Sequence, residues 1–257
     1  MKQVRYFSFS EELSHSVISQ ICLAYLLQFN TSGCLDTNLD VSSPLAKYAA
    51  EHWITHVHSS CKSNSQSSSI FALMMKLLTY ENNAFVKWVQ IYDIDRSYNY
   101  QQKQRVASPL YYASLAGITE ASYVLLEMGA DVNAQGGYYG NALEAASYKG
   151  HDAIAKQLID KGADVNAQGG HHGNALQAAS VEGHEAIAKL LIGKGADVNA
   201  QGGDYENALQ AASFGGHEAM AKMLMEKGAD VNAQGGDHGS ALQAASFGGH
   251  GAIAELS

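Results

Sequence analysis

The sequence predicts an all-α protein, a solenoid of short paired helices preceded by a small α-helical region. Three observations carry this. Residues 108–257 repeat with a period of 33. Each period holds two helix-length segments with apolar positions at helical spacing. The composition also changes sharply near residue 107. Gly33 is the only glycine before Gly117 and the other 24 follow, while net charge passes from +1 over residues 1–107 to −10 over residues 108–257.

The first region, 1–107, shows no repeat. Residues 11–29 predict an amphipathic helix with Leu13, Val17, Ile21 and Leu23/Leu27 inward. Ser43-Pro44 opens a second helix, through Trp53 to about His58. The serine-rich stretch 59–69 reads as a polar linker. Residues 70–78 and 84–91 complete two more helices, expected to cover the open end of the first repeat, because terminal repeats need a cover.

The repeats are 108–140, 141–173, 174–206 and 207–239, with a partial unit 240–257; the third and fourth share 25 of 33 residues. In each, a first helix starts at Asn141, Asn174, Asn207 or Ser240, whose side-chain oxygen can accept a first-turn N–H. Glu144, Gln177, Gln210 and Gln243 follow three residues later, as in a capping box. Pro109 takes the first helical position in unit one. A second helix runs through Ile154, Leu158 and Ile159 and stops at Gly162. Residues 164–170 cross to the next unit as a hairpin-like loop. Stacking aligns Leu143, Leu176, Leu209 and Leu242 in one ladder and Ile154, Ile187, Met220 and Ile253 in another. The small Ala145/Ala146, Ala178/Ala179 and Ala211/Ala212 pairs permit closer approach on the first-helix side, which should therefore be concave. Met220, Met223 and Met225 are expected to tune packing within the second helix. The last unit stops within its second helix, so Leu242, Ile253 and Leu256 should be partly exposed and open to self-association.

The period, together with Ser108-Pro109-Leu110, Gly150-His151 and the run from Leu158 through Gly162-Ala163-Asp164-Val165-Asn166, resembles ankyrin repeats over residues 108–257. Asn-Ala-Leu-Gln stands where the family has Thr-Pro-Leu-His, and the loop glycine sits directly before the N-cap. The resemblance implies a non-enzymatic module that binds a protein partner on its concave face. Segments 15–26, 44–53 and 81–88 further resemble a helical stretch of fungal NACHT–ankyrin proteins, NLR-like receptors in which a nucleotide-switched ATPase precedes an ankyrin array. That implies part or a relative of such a receptor. An alternative role is an intramolecular array holding a larger receptor inactive.

Several chemistries are excluded or weakened. No G-x-x-x-x-G-K-[ST] is present, so no phosphate-binding P-loop is predicted. The acidic repeats repel phosphate, which argues against nucleic acid and anionic membranes; no apolar run is long enough for a membrane helix. Three cysteines, Cys22, Cys34 and Cys61, without a C-x-x-C pair, suit a cytoplasmic chain without a disulfide framework. Gly136-Gly137-Tyr138-Tyr139-Gly140 imitates a dinucleotide fingerprint but recurs with the turns. Asp131-Val132-Asn133 imitates a calcium loop, yet its twelfth position is Ala142, where a bidentate Glu is needed. His52 and His56, one helical turn apart near His58 and Cys61, are the best metal candidate, against a packed helix end. His151, His184, His217 and His250 share one repeat position and read as structural. No cofactor is expected.

Near-identical units differ mainly where partners could reach. The loop tips read Tyr138-Tyr139, His171-His172, Asp204-Tyr205 and Asp237-His238. The first-helix ends read Tyr148-Lys149, Val181-Glu182, Phe214-Gly215 and Phe247-Gly248. Tyr, His and Phe on a rigid surface are good anchors for a partner; the competing explanation is that tips tolerate change. The predicted contact set is Tyr138, Tyr139, Glu144, Tyr148, Lys149, His171, His172, Val181, Glu182, Asp204, Tyr205, Phe214, Asp237 and His238.

Overall fold

The computed structural model describes residues 10–30, 43–60, 67–79, 83–95 and 106–254. Regular structure among them is helical, and the chain divides into two compact units, 1–94 and 95–257.

The first unit contains α1 (Glu11–Leu27), a short 3-10 turn (Gln28–Asn30), α2 (Pro44–Ser60), α3 (Ser67–Leu78) and α4 (Asn83–Ile91). Helix thus takes in both ends of the segment expected as a linker; residues 61–66, with Cys61, lie outside the described residues, as does Cys34. Ser10 caps α1, accepting from the Leu13 N–H at 3.3 Å. The core centres on Trp53 and Trp88, edge to face at 5.2 Å, and Trp88 Nε1 donates to the Ala50 carbonyl at 3.0 Å.

The expected orientation of α1 is reversed at three positions. Leu13, Val17 and Ile21 are 45%, 48% and 54% exposed, whereas Ser16, Ser19, Cys22, Leu23 and Leu26 are buried. The serines sit on the packed side because their small side chains allow close approach to a neighbouring helix. Ser19 satisfies its own hydroxyl by donating to the Ser16 carbonyl at 2.8 Å, so burying it leaves no orphan polar group. Periodicity found the apolar stripe but not which side the neighbouring helices take. Burial pushes the Cys22 thiol up, as expected of an inert buried cysteine.

The second unit stacks five helix pairs: α5 (Pro109–Leu115) with α6 (Thr119–Glu127), α7 (Ala142–Lys149) with α8 (Asp152–Asp160), α9 (Ala175–Val181) with α10 (Glu185–Gly193), α11 (Ala208–Gly215) with α12 (Glu218–Glu226), and α13 (Ala241–Gly248) with α14 (Gly251–Ala254). The predicted caps form. Glu144, Gln177 and Gln210 N–H groups donate to Asn141, Asn174 and Asn207 Oδ1 at 2.9 Å, and Gln243 N–H to Ser240 Oγ at 3.2 Å. Leu143, Leu176 and Leu209, and Ile154, Ile187 and Met220, are buried in their two ladders.

Adjacent pairs are tied by three recurring contacts. Two of the histidines before second helices reach back one repeat: His184 Nε2 lies 3.0 Å from the Tyr148 carbonyl and His217 Nε2 3.0 Å from that of Val181. The rings lie against Gly150 and Gly183, where a Cβ would come within 2.5 Å and 2.4 Å of them; this glycine must be both left-handed and bare. Asn133, Asn166 and Asn199 bridge successive loops, each donating to a glycine carbonyl of the next repeat (Gly162, Gly195, Gly228) and accepting the N–H of Asp164, Asp197 or Asp230. The third contact departs from the capping-box expectation. Gln177 Nε2 does not turn back to its own cap but donates onward to the Ala200, Gly202 and Glu206 carbonyls at 3.2, 3.1 and 2.8 Å, and Gln210 does the same to Ala233 and Gly239.

At the last pair Leu242 is 46% exposed, as expected, but Ile253 is buried. The helix that carries it, α14, packs on α13 of its own pair and on the preceding α12. Leu256 lies outside the described residues.

Candidate functional site

The loop tips are tight hairpins. Gly136, Gly169 and Gly235 N–H groups close onto the Gly140, Gly173 and Gly239 carbonyls at 2.7–2.9 Å, and Gly202 onto Glu206 at 2.8 Å. The closing residue takes positive φ, and at 206 a glutamate is held there at φ 64°. The tips are joined in series: His171 N–H donates to the Tyr138 carbonyl at 2.9 Å, Asp204 to His171 at 3.2 Å and Asp237 to Asp204 at 3.1 Å.

Within each tip the two variable residues sit in the turn and differ in their surroundings. The first of each pair (Tyr138, His171, Asp204, Asp237) faces outward and is at least partly exposed. His171 Nε2 lies 3.0 Å from Asp204 Oδ2 across the repeat boundary, and its ring lies 4.6 Å from that of Tyr138. The second of each pair turns inward and meets the first-helix ends in a row of rings. Tyr139 lies 4.6 Å from Tyr148, and Tyr148 stacks on His172 at 4.8 Å and 12°. His172 stacks on Tyr205 at 6.0 Å and 10°, and Tyr205 lies 5.1 Å from Phe214. Phe214 stacks on His238 at 4.8 Å and 14°, and His238 lies 4.9 Å from Phe247, which is 74% exposed. Contacts of this kind are worth about 0.5–1.5 kcal/mol each beyond buried area, so the row stiffens the face as well as decorating it.

This geometry corrects part of the predicted contact set. Tyr139, Glu144, His172 and Val181 are buried, at 8%, 1%, 5% and 9% exposure, and are not presented to solvent. Tyr139 and His172 are inward members of their tips. Glu144 lies in the first turn of its helix and Val181 at the last residue of its own, and both are covered there. Tyr148, Tyr205, Phe214 and His238 are half-buried, while Lys149, Glu182 and Asp237 are exposed. Lys149 Nζ sits 5.2 Å over the Tyr148 ring, a cation on a π face.

Burial shapes the electrostatics. It holds the His172 imidazole down at about 4, with His171 adding to the effect, and neither His172 nitrogen has a partner among the described residues. Burial, then hydrogen bonding to Glu182, pushes the Tyr148 hydroxyl up to about 12. Burial alone raises the Glu144 carboxyl to about 9.

Two residues outside the predicted set matter. Asp95 anchors the first tip: its Oδ1 accepts the Tyr111 hydroxyl at 2.6 Å and its Oδ2 the Tyr138 N–H at 2.6 Å. It lies before the repeats and outside their period, so no pattern marks it. Phe247 ends the ring row; its equivalence to Tyr148 and Phe214 was legible.

The competing site readings meet occupied atoms. His56 Nδ1 lies 2.7 Å from His15 Nδ1 and its Nε2 lies 3.0 Å from the Tyr48 hydroxyl, so neither nitrogen is left facing His52. No group of three His, Cys, Asp or Glu with metal-binding geometry occurs among the described residues. In the calcium-like loop Asp131 Oδ1 accepts the Asn133 N–H at 2.9 Å and Asn133 Oδ1 that of Asp164. No helix among the described residues is long and apolar enough to cross a membrane.

Comparison with known proteins agrees with the repeat geometry. A family model for ankyrin repeats (three copies) matches residues 73–169 and 175–256, more than half of the chain. The azaphilone pigments biosynthesis cluster protein L of Monascus ruber is 41% identical over 153 residues, which is 54% of this chain and 32% of that protein. The aligned stretch thus covers about a third of the relative's length.

Proposed function

Because the chain belongs to the ankyrin-repeat family, we propose that it is a non-enzymatic binding module that holds a protein partner against the face formed by its loop tips and first helices. This is the face expected to be concave. The observation that carries the reading is the ring row from Tyr139 to Phe247. Half-buried Tyr148, Tyr205, Phe214 and His238 are fixed by stacking, so little conformational entropy remains to be lost when a partner covers them. Around them lie the residues that vary most between units, Tyr138, Lys149, His171, Glu182, Asp204 and Asp237. We assign the face no reaction and no cofactor. The acidic balance favours a protein over nucleic acid, and the cysteine pattern supports a cytoplasmic setting.

The resemblance of segments 15–26, 44–53 and 81–88 to fungal NACHT–ankyrin proteins supports a place in, or descent from, a longer signalling receptor. In such a receptor the same face could restrain its own chain.

The test is affinity capture by the full chain, compared with a variant carrying Tyr138→Ala, Lys149→Ala, Glu182→Ala, Asp237→Ala and Phe247→Ala. All five lie outside the buried core, so unfolding temperature should hold. Proteins retained by the wild type should be lost from the variant. Undiminished capture by a folded variant would place binding elsewhere.

A further inference from the structure

The charge on this face says more about the partner. Over the tips and first helices of residues 135–248 the acidic residues are Glu144, Glu182, Asp204, Glu206 and Asp237, and the only Lys or Arg is Lys149. Glu144 is buried, which leaves four acids around the ring row. Lys149 shows how a cation sits here: its ammonium lies over the Tyr148 ring, one repeat before Glu182. Its place is taken by Glu182 one repeat on, and by Gly215 and Gly248, next to Phe214 and Phe247, two and three repeats on. The glycine positions keep the ring and have no cation of their own.

We propose that the partner segment is a basic peptide whose arginine or lysine side chains lie along the ring row. This rests on the binding reading above and names the partner's chemistry. Equivalent groups of neighbouring repeats lie close together on this face: the Tyr205 and His238 rings are 6.0 Å apart, those of Phe214 and Phe247 6.1 Å, and the Asp237 N–H donates to the Asp204 carbonyl at 3.1 Å. Asp204 and Asp237 occupy equivalent positions one repeat apart and would pair with successive basic residues. The apolar stems of those residues lie along Tyr205, Phe214, His238 and Phe247, as long cationic side chains do over apolar surface, and their heads meet the acids.

The experiment is selection of random twelve-residue displayed peptides on the immobilised full chain. Enriched peptides should be rich in Arg or Lys. Individual synthetic members should lose at least tenfold in affinity on the Glu182→Gln/Asp237→Asn chain and weaken as salt is raised. Both acids are exposed, and matched thermal unfolding confirms that the variant folds. Peptides that depend on Tyr138 and Phe247 yet are neutral or acidic would overturn the charge inference and leave the binding face standing. Peptides bound equally by a Tyr138→Ala/Phe247→Ala chain would instead refute the face itself. No enrichment would overturn the inference.

Discussion

Replacing Glu144 by Gln should stabilise this protein, and by an amount that grows with pH. Gln177 and Gln210 occupy the equivalent place in the next two repeats, where their amide N–H groups donate to carbonyls of the following loop. Glu144 offers no such donor when ionised. One of its oxygens accepts Asn141 Nδ2 at 2.6 Å, and the other is buried without a partner. Buried with no cation beside it, the group keeps its proton, and burial raises its pKa from 4.5 to about 9. In the unfolded chain it ionises near 4.5. Between these values the folded state binds more protons than the unfolded one, so stability falls as pH rises, by about 1.4 kcal/mol per pH unit. At pH 7 the accumulated cost is on the order of 3 kcal/mol. Glutamine removes it and restores the amide donor. Urea unfolding of both proteins at pH 4.5, 7 and 9 reads the difference as a shift in midpoint at constant slope. The variant should gain about 1–3 kcal/mol at pH 7, more at pH 9, and little at pH 4.5. A pH-independent difference, or a less stable variant at pH 7, would mean that Glu144 is ionised in the folded state.

Glu206→Gly should stabilise the chain by about 1 kcal/mol, since a non-glycine residue at positive φ is strained there; equal or lower stability in urea would show that the side chain compensates. Val17→Ser on α1 should change stability by less than about 0.5 kcal/mol, whereas Leu26→Ala, on the buried side, should cost about 2–5 kcal/mol; similar losses for both would contradict the reversed orientation of α1. His172→Phe should keep the stack and abolish an acid-sensitive term. The folded imidazole is depressed to about 4, so its stability contribution is present above pH 6.5 and lost as pH falls towards 4, and acid titration of unfolding midpoints should show the variant gaining on the wild type over that window.

The repeat half of the fold was legible because one unit printed four times leaves little freedom. Asn141, Gly150 and Leu158 each mark a cap, a helix end or a core contact, and the structure puts them there. Two kinds of feature were not legible. The first is direction. Periodicity in α1 located Leu13, Val17 and Ile21 on one face, but Ser16 and Ser19 take the packed side because α2 and α3 can come close to small residues. The second is alternation at the tips. Tyr138-Tyr139 and His171-His172 look like paired surface residues, yet the second of each packs against Tyr148 and is buried, and only the stacked neighbours decide that. Gln177 likewise matched a capping box, while the carbonyls it serves belong to the next loop.

Glu144 and His172 belong to consecutive first-helix and tip elements, and their titrations oppose each other. From pH 9 down to 4.5 acidification favours the folded chain through Glu144; from 6.5 down to about 4 it disfavours it through His172. Over the overlap the two slopes are equal in size and opposite in sign, about 1.4 kcal/mol per pH unit each, so a flat wild-type profile there would conceal two charged-state penalties. Both arise for one reason. The ring row and the loop carbonyls beneath it exclude water and offer no counter-charge, so any ionisable side chain placed there stays neutral. A face built on that layer can carry its charges only on the outermost residues, which is where Lys149, Glu182, Asp204 and Asp237 stand. Removing each penalty separately should tilt the profile in opposite directions, and the double variant should be flat across pH 4.5 to 6.5 and more stable throughout; a double variant with the slope of either single one would show that the two sites share one titration.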